Sequence, residues 1–330
     1  MNESAIDLVV LYLDNTDAAW QSEFQKYSGK LLVNSHQFRD WDWMRYWFRG
    51  VEKNVPWIGK IHFITCGHLP EWLNLANPKL NVVRHSDYMP QKYLPTFSSI
   101  PIELNIHRID DLSEKFIFAN DDFFFLGEMK QEDYFQNGLP CDRLHLCPVT
   151  QSRSKGFYHI LINNMMALNR HFDAKKCALE HSESWFSNVY TRDIIDDNRA
   201  ALRWNRFLGI KYDHMPLPLL KSNLKELWDL EPELLDEVCS HKIRDNLQDV
   251  NIFLSRFLNL AKGDFVPFLS NTGAYCNVFA SEEEIRRALR PENGVACLND
   301  GVGEFSFEER KKLIHSILQE MFSEKSSFEI

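Results

Sequence analysis

The sequence predicts an α/β protein built on a doubly wound, mostly parallel sheet, with a largely helical insertion and a helical C-terminal part. Short apolar runs at 8–13 (LVVLYL), 61–65 (IHFIT) and 116–119 (FIFA) have the length and near-continuous hydrophobicity of strands buried on both faces. Between the first two, Trp43, Trp47 and Val51 recur at helical spacing, giving the strand–helix–strand alternation of a parallel sheet. Beyond residue 150 the pattern turns mostly helical, and the last helix opens on Ser306-x-x-Glu309, a capping box.

Taken in order, the first strand, 8–13, ends in Asp14-Asn15-Thr16-Asp17. A helix follows over 40–53, and then the strand 61–65, which ends Thr65-Cys66-Gly67-His68. A shorter strand fits 81–84. Asn77-Pro78 before it, and Pro90, Pro95 and Pro101 after it, mark loops. The strand 116–119 ends Asn120-Asp121-Asp122 and runs straight into Phe123-Phe124-Phe125. Helices are expected at 160–168, 181–193, 222–229, 232–239, 250–260, 282–289 and 306–322. This divides the chain into an α/β core over 1–130, a helical insertion over 131–205, and a C-terminal part over 206–330 that completes the same domain.

Composition excludes several classes. The chain has 330 residues, 44% hydrophobic and 25% charged, an ordinary globular balance with ample core. A net charge of −10 disfavours a nucleic-acid partner. The seven cysteines are odd in number and contain no CxxC pair, which gives neither a disulfide framework nor a zinc pattern. Residues 1–6 lack a basic region leading into an apolar one, and no apolar run approaches the roughly 18 residues of a membrane span. The expected location is the cytoplasm, with any membrane association peripheral.

Each of the three main strands ends in polar residues that a structural role does not require. In open α/β sheets ligands bind outside the carboxyl ends of the strands, so these ends point to one crevice. The Asn120-Asp121-Asp122 cluster is the most telling. Two adjacent carboxylates between apolar runs repel each other and are costly to bury unpaired. A hard divalent cation, Mg2+ or Mn2+, removes that cost and suits a diphosphate. A plain Asn-Asp turn explains the same residues. Asp14 and Asp17 alone read as a strand end and a helix cap.

There is no GxxxxGK[ST], no GxGxxG and no GxSxG, so phosphate handling falls to a metal, to arginines and to strand-end amides. Asn105-Ile106-His107-Arg108 can clamp a phosphate, although such a pair is ordinary on a protein surface. Asp213-His214-Met215-Pro216 opens a loop and offers a general base, and His241-Lys242-Ile243-Arg244-Asp245 lies between two helices. Singly, none is decisive.

Their order along the chain is. The sequence resembles the Stealth family, the sugar-1-phosphate transferases of bacterial capsule synthesis, to which the lysosomal-enzyme N-acetylglucosamine-1-phosphotransferase of animals also belongs. All four family segments are found. The first is like the stretch from Ile6 to Asp17. The second runs from Phe38-Arg39-Asp40 through Leu94-Pro95-Thr96-Phe97 and Ile106-His107-Arg108 to Asn120-Asp121-Asp122. The third looks like His214-Met215-Pro216 with His241-Lys242-Ile243-Arg244, and the fourth like Cys297-Leu298-Asn299-Asp300 with its trailing helix. Cys66 stands where the family usually has Asp, Asn105 where it has His, and Asn15 where it has Gly.

The resemblance implies a nucleotide-sugar-transferase-like core, a UDP-sugar donor, and an oligo- or polysaccharide acceptor facing the insertion. It also implies peripheral association with a membrane-bound capsule assembly. The acceptor hydroxyl attacks the donor's β-phosphorus, UMP leaves, and a phosphodiester joins two sugars. In this reading Asp121, Asp122 and Asp300 hold the metal, with Asn120 beside them. Arg244 and Arg108 hold phosphate oxygens, with Arg45 a further candidate. His214 is the base and His107 its rival, while Asp14, Asp17, Thr65 and Gly67 line the nucleotide pocket. A glycosyltransferase that releases UDP and a non-catalytic sugar-binding protein are the alternatives.

Overall fold

The computed structural model describes residues 5–29, 38–150, 156–269 and 273–330. In chain order the strands are β1 Ile6–Tyr12, β2 Ile61–Thr65, β3 Leu80–Arg84, β4 Lys115–Phe118, β5 Phe123–Phe125, β6 Phe135–Gln136, β7 Leu139–Asp142, β8 Leu217–Leu220, β9 Val266–Pro267, β10 Ala274–Asn277 and β11 Val295–Asn299. The main sheet has the order β3–β2–β1–β4–β8, with the first four strands parallel and β8 antiparallel to β4. The expected α/β class with a mostly parallel sheet is what forms. The chain leaves β1 for β2 on one side and returns for β4 on the other, so the β1–β4 boundary is the switch point of the sheet.

Because side chains alternate along a strand, both faces of the sheet carry a core. Leu8, Val10, Phe63 and Ile117 pack beneath the helix Met44–Asn54 and the C-terminal helix Phe307–Met321. Val9, Ile64, Phe116 and Phe118 pack beneath helices that include Ser99–Leu104, Tyr158–His171 and Phe253–Lys262. A three-stranded sheet, β10–β11–β5, continues the first layer. Gly50 lets the helix Met44–Asn54 lie against β5, since a Cβ there would come within 2.8 Å of the Phe125 carbonyl.

The expected strands and the 282–289 and 306–322 helices form within a few residues of their expected bounds, and Ser306 and Glu309 exchange the capping-box bonds. Three expectations need correction. The helix expected from residue 40 begins at Met44, because the Asp40 carboxylate takes the Asp42 amide at 2.7 Å and holds the chain in a turn with Asp42 at φ 54°. The 181–193 stretch divides into Ser182–Trp185 and Arg192–Ala201. Trp185, fully buried with its indole N–H on the Leu260 carbonyl, pins the chain between them. The insertion is not helical throughout, since it opens with the hairpin β6–β7 and its helices begin at Tyr158. Asn137-Gly138, both at positive φ, form the two-residue turn. No helix among the described residues is long and apolar enough to cross a membrane.

Candidate active site

A cavity of about 390 Å³ opens at the carboxyl ends of β1 and β4, at the switch point. Tyr12, Leu13, Asn120, Asp121, His214 and Arg244 are among its walls. β4 delivers the Asn-Asp-Asp cluster, and the indole of Trp47 holds the Asn120 carbonyl at 3.2 Å. β8 delivers the histidine. It runs antiparallel to β4 with Leu217 opposite Phe118, so the residues before β8 stand where β4 ends. His214 Nε2 therefore lies 3.8 Å from Asp122 Oδ2, across 92 residues of chain (214 − 122).

Arg244 arrives on the loop after the helix Pro232–Ser240. That loop is fastened by His241 to Asp249 at 2.7 Å, and by Lys242, whose ammonium meets the carbonyls of Lys92 and Leu94. The Phe97 amide donates to the Lys242 carbonyl, so the Leu94–Phe97 stretch and the arginine loop dock together. One guanidinium nitrogen of Arg244 donates to Ser99 Oγ at 2.8 Å, whereas the buried Nε has no partner among the described residues. Glu103 is buried behind Ser99. Burial raises its carboxyl, opposed by Ser99, Arg244 and His214.

The opposite wall is acidic. Asp121 is open to solvent in the cavity, yet desolvation by its walls and then the Asp122 carboxylate push its own carboxyl up to about 7. The Tyr12 phenol is raised by burial and by the carboxylates of Asp40, Asp14, Asp42 and Asp121 around it. Asp122 Oδ1 is buried without a hydrogen-bond partner among the described residues, which fits a cation ligand. Asp122, His214 and Cys297 present ligand atoms all within 4.8 Å of one another, a candidate metal site. The Cys297 thiol, 3.4 Å from Asp122 Oδ2, is raised by burial and by that carboxylate.

The fold brings Asn120, Asp121, Asp122, His214 and Arg244 together. Asp300 does not line this cavity and is engaged by Arg39 at 3.3 Å and the Trp41 indole at 3.2 Å. Asp17 caps the helix Ala18–Ser28 through the Trp20 amide, and Asp14 folds onto Thr16. Thr65 turns inward to the His68 carbonyl, and Gly67 at φ 138° completes that turn, so Cys66 is the residue from this stretch that meets the cavity. Arg45 lies over Trp72 at 5.3 Å.

His107 and Arg108 do not line this cavity. Arg108 stacks on Trp228 at 4.8 Å and donates to Asn105, and the His107 imidazole is pushed down to about 4 by burial and then by Arg108. Sequence reading passed over His85, Ser99 and Glu103, which line the cavity, and met Cys297 only as the start of the fourth family segment. Glu103 alone carried a signal, a carboxylate set in the apolar run Ile100–Ile106.

Comparison with known proteins identifies the family. Residues 37–141 match the family model described as Stealth protein CR2, conserved region 2. A capsular polysaccharide phosphotransferase WcwK of Streptococcus pneumoniae is 37% identical over 334 residues, spanning 99% of each chain. A receptor polysaccharide phosphotransferase WefC of Streptococcus oralis is 31% identical, spanning 98% of this chain and 99% of the relative. An exopolysaccharide phosphotransferase cps2G of Lactiplantibacillus plantarum is 31% identical, spanning 98% and 96%. A solved active-site mutant of LgtC aligns over 94% of this chain and 96% of its own at 11% identity, with a TM-score of 0.36. The chain belongs to the Stealth family of bacterial phosphotransferases.

Proposed function

We propose that the protein transfers a sugar 1-phosphate from a UDP-sugar to a hydroxyl of a growing capsular or other surface polysaccharide, releasing UMP. What carries the reading is one cavity lined by His214, Asp121 and Arg244, with Asp122 behind the histidine at 3.8 Å and the buried Arg244 Nε without a partner among the described residues. The polysaccharide phosphotransferase names of the relatives support the same class.

In this reading the nucleotide lies toward the β1 and β2 ends, against Tyr12, Leu13 and Cys66. The diphosphate spans the gap between Arg244 and the carboxylates. Asp121 and Asp122 would hold Mg2+ or Mn2+, which when bound supplies positive charge to the diphosphate. Arg244 offers Nε to a phosphate oxygen that moves toward the transition state, where a fixed donor contributes most. His214 takes the proton of the acceptor hydroxyl as that oxygen attacks the β-phosphorus. The bond between β-phosphorus and the bridging oxygen breaks, UMP carries away the electron pair, and the anomeric C–O bond stays intact. Asp122 faces the imidazolium that forms.

A panel of UDP-sugars with and without Mg2+ or Mn2+ tests this, with released nucleotide separated by chromatography and the product read by 31P NMR. UMP together with a phosphodiester resonance is expected. Release of UDP with a glycosidic product would replace this reading by a glycosyltransferase, and no turnover of any donor would remove it.

A further inference from the structure

We propose, resting on the transfer reaction above, that the acceptor saccharide stacks a hexopyranose ring on Tyr275, at the outer side of His214. From there it runs toward the Arg143–Asp213 pair in a second cavity.

Tyr275 on β10 pairs with Cys297 on β11, and Cys297 pairs with Phe123 on β5. In-register residues of neighbouring strands share a face, so the three side chains form one row across the second sheet. His214 lies over that row. Its ring meets Phe123 edge-on at 4.9 Å and Tyr275 at 6.3 Å, with the Cys297 sulfur among its near neighbours. The Phe123 end of the row is a wall of the donor cavity. The Tyr275 end is open: β10 is the edge strand, and Tyr275 is 59% exposed while its neighbour Cys276 is buried. Tyr158, 44% exposed, lies near enough that its phenol affects that of Tyr275.

A hydroxyl that gives its proton to His214 cannot arrive through the donor, which fills the inner side. It must come from the Tyr275 side. There the histidine is flanked by a large exposed ring, the surface on which the C–H face of a pyranose packs while the phenol keeps a polar handle for a hydroxyl. Beyond it, the residue before His214 enters a second cavity of about 350 Å³. In that cavity Arg143 pairs with Asp213, and Arg256 forks onto Asp142 at 2.7 and 2.8 Å. The Asp213 side chain is 55% exposed and retains acceptor capacity for sugar hydroxyls. Tyr134 and Phe268 line the same space. Charged pairs with aromatic walls, one residue from the base, suit a polyhydroxylated chain.

The test uses the full chain and three probes: methyl β-galactoside, methyl β-glucoside and methyl N-acetyl-β-glucosaminide. Saturation-transfer NMR reads their binding, and steady-state kinetics read them as acceptors. Tyr275→Ala should raise the acceptor KM, and weaken the saturation-transfer affinity, by about tenfold, the scale of one lost ring stack. The donor KM should shift by less than about twofold. Tyr275→Phe should restore most of the loss. Trp204→Ala, which removes an aromatic that is 49% exposed and lines neither cavity, should leave the acceptor KM as it was. An acceptor KM that is unmoved in Tyr275→Ala, a donor KM that rises in parallel, or no binding of any of the three glycosides would overturn the proposal. Because binding is read apart from turnover, a chain that released no UMP would sink the transfer reading and leave the Tyr275 test standing.

Discussion

Replacing Asp121 by Asn should make the metal-free protein more stable while removing its activity. The Asp121 carboxyl is pushed up to about 7 from an ordinary 3.8, by desolvation and then by Asp122. Taken whole, that displacement is a penalty of about 4 kcal/mol on the ionised form. Asp121 is open to solvent in the cavity, however, and screening leaves on the order of 1 kcal/mol. Since the folded value lies above the unfolded one, folding penalises the ionised form: the cost is absent below 3.8 and complete once the pH has passed the folded value. Asp121→Asn should therefore unfold about 1–3 °C higher than the parent near pH 8, and level with it near pH 4, when both are free of divalent ions. Millimolar Mg2+ or Mn2+ should raise the melting temperature of the parent and not of the variant, because a cation held by the carboxylates stabilises only the state that has them. Scanning fluorimetry at two pH values, with and without EDTA, reads all of this. If the variant melts lower than the parent near pH 8, or by the same margin at both pH values, the strain assigned to this pair is not there.

The other expectations concern single groups. His214→Ala should cut kcat by about 10²–10⁴-fold with donor affinity by calorimetry nearly intact, and near-parent turnover would pass the base role to another group. Arg244→Lys keeps the charge but loses the planar fork, so donor binding should weaken by about tenfold or more. Unchanged calorimetric affinity would place the phosphate elsewhere. Asp7→Ala should cost about 3 kcal/mol or more in urea unfolding, because it strands buried His62 and the amides of Lys60 and Ser113, which Asp7 holds at 3.1, 2.8 and 2.8 Å. Burial raises the Asp7 carboxyl, but these partners outweigh it and hold the group lowered. Its contribution is thus present above 3.8 and lost as the pH falls through the folded value, and the variant should show a smaller acid-induced loss.

Much of the fold was legible because three buried strands read as unbroken apolar runs, and parallel strands bind ligands at their carboxyl ends. Asp121, Asp122 and Asn120 follow directly. His214 and Arg244 could be named only through the order of family segments, since no local pattern distinguishes Asp213-His214-Met215 from any polar loop. What places His214 is β8, a four-residue edge strand (LPLL) interrupted by Pro218 and too short to declare itself. The hairpin β6–β7 had a signal in Asn137-Gly138 and was nonetheless absorbed into a helical stretch, because its strands of two and four residues show no alternation. His107 and Arg108 show the converse. Their motif lies in the matched region, but Trp228 captures the guanidinium, so sequence order named residues that packing turns away from the cavity.

Of the four buried side-chain atoms without a partner among the described residues, two belong to proposed site residues. Arg244 Nε and Asp122 Oδ1 are a buried donor and a buried acceptor, each without a partner among the described residues. In the proposed reaction the donor atom suits an anion and the acceptor atom a cation, and a diphosphate with its counter-ion would satisfy both at once. A divalent ion would relieve the carboxylates, and a bound diphosphate would add oxygens to hold that ion. On this argument donor and divalent ion should bind with positive coupling, each tightening the other. Independent affinities in a titration of UDP-sugar with and without Mg2+ would break the link between the unpaired atoms and the reaction.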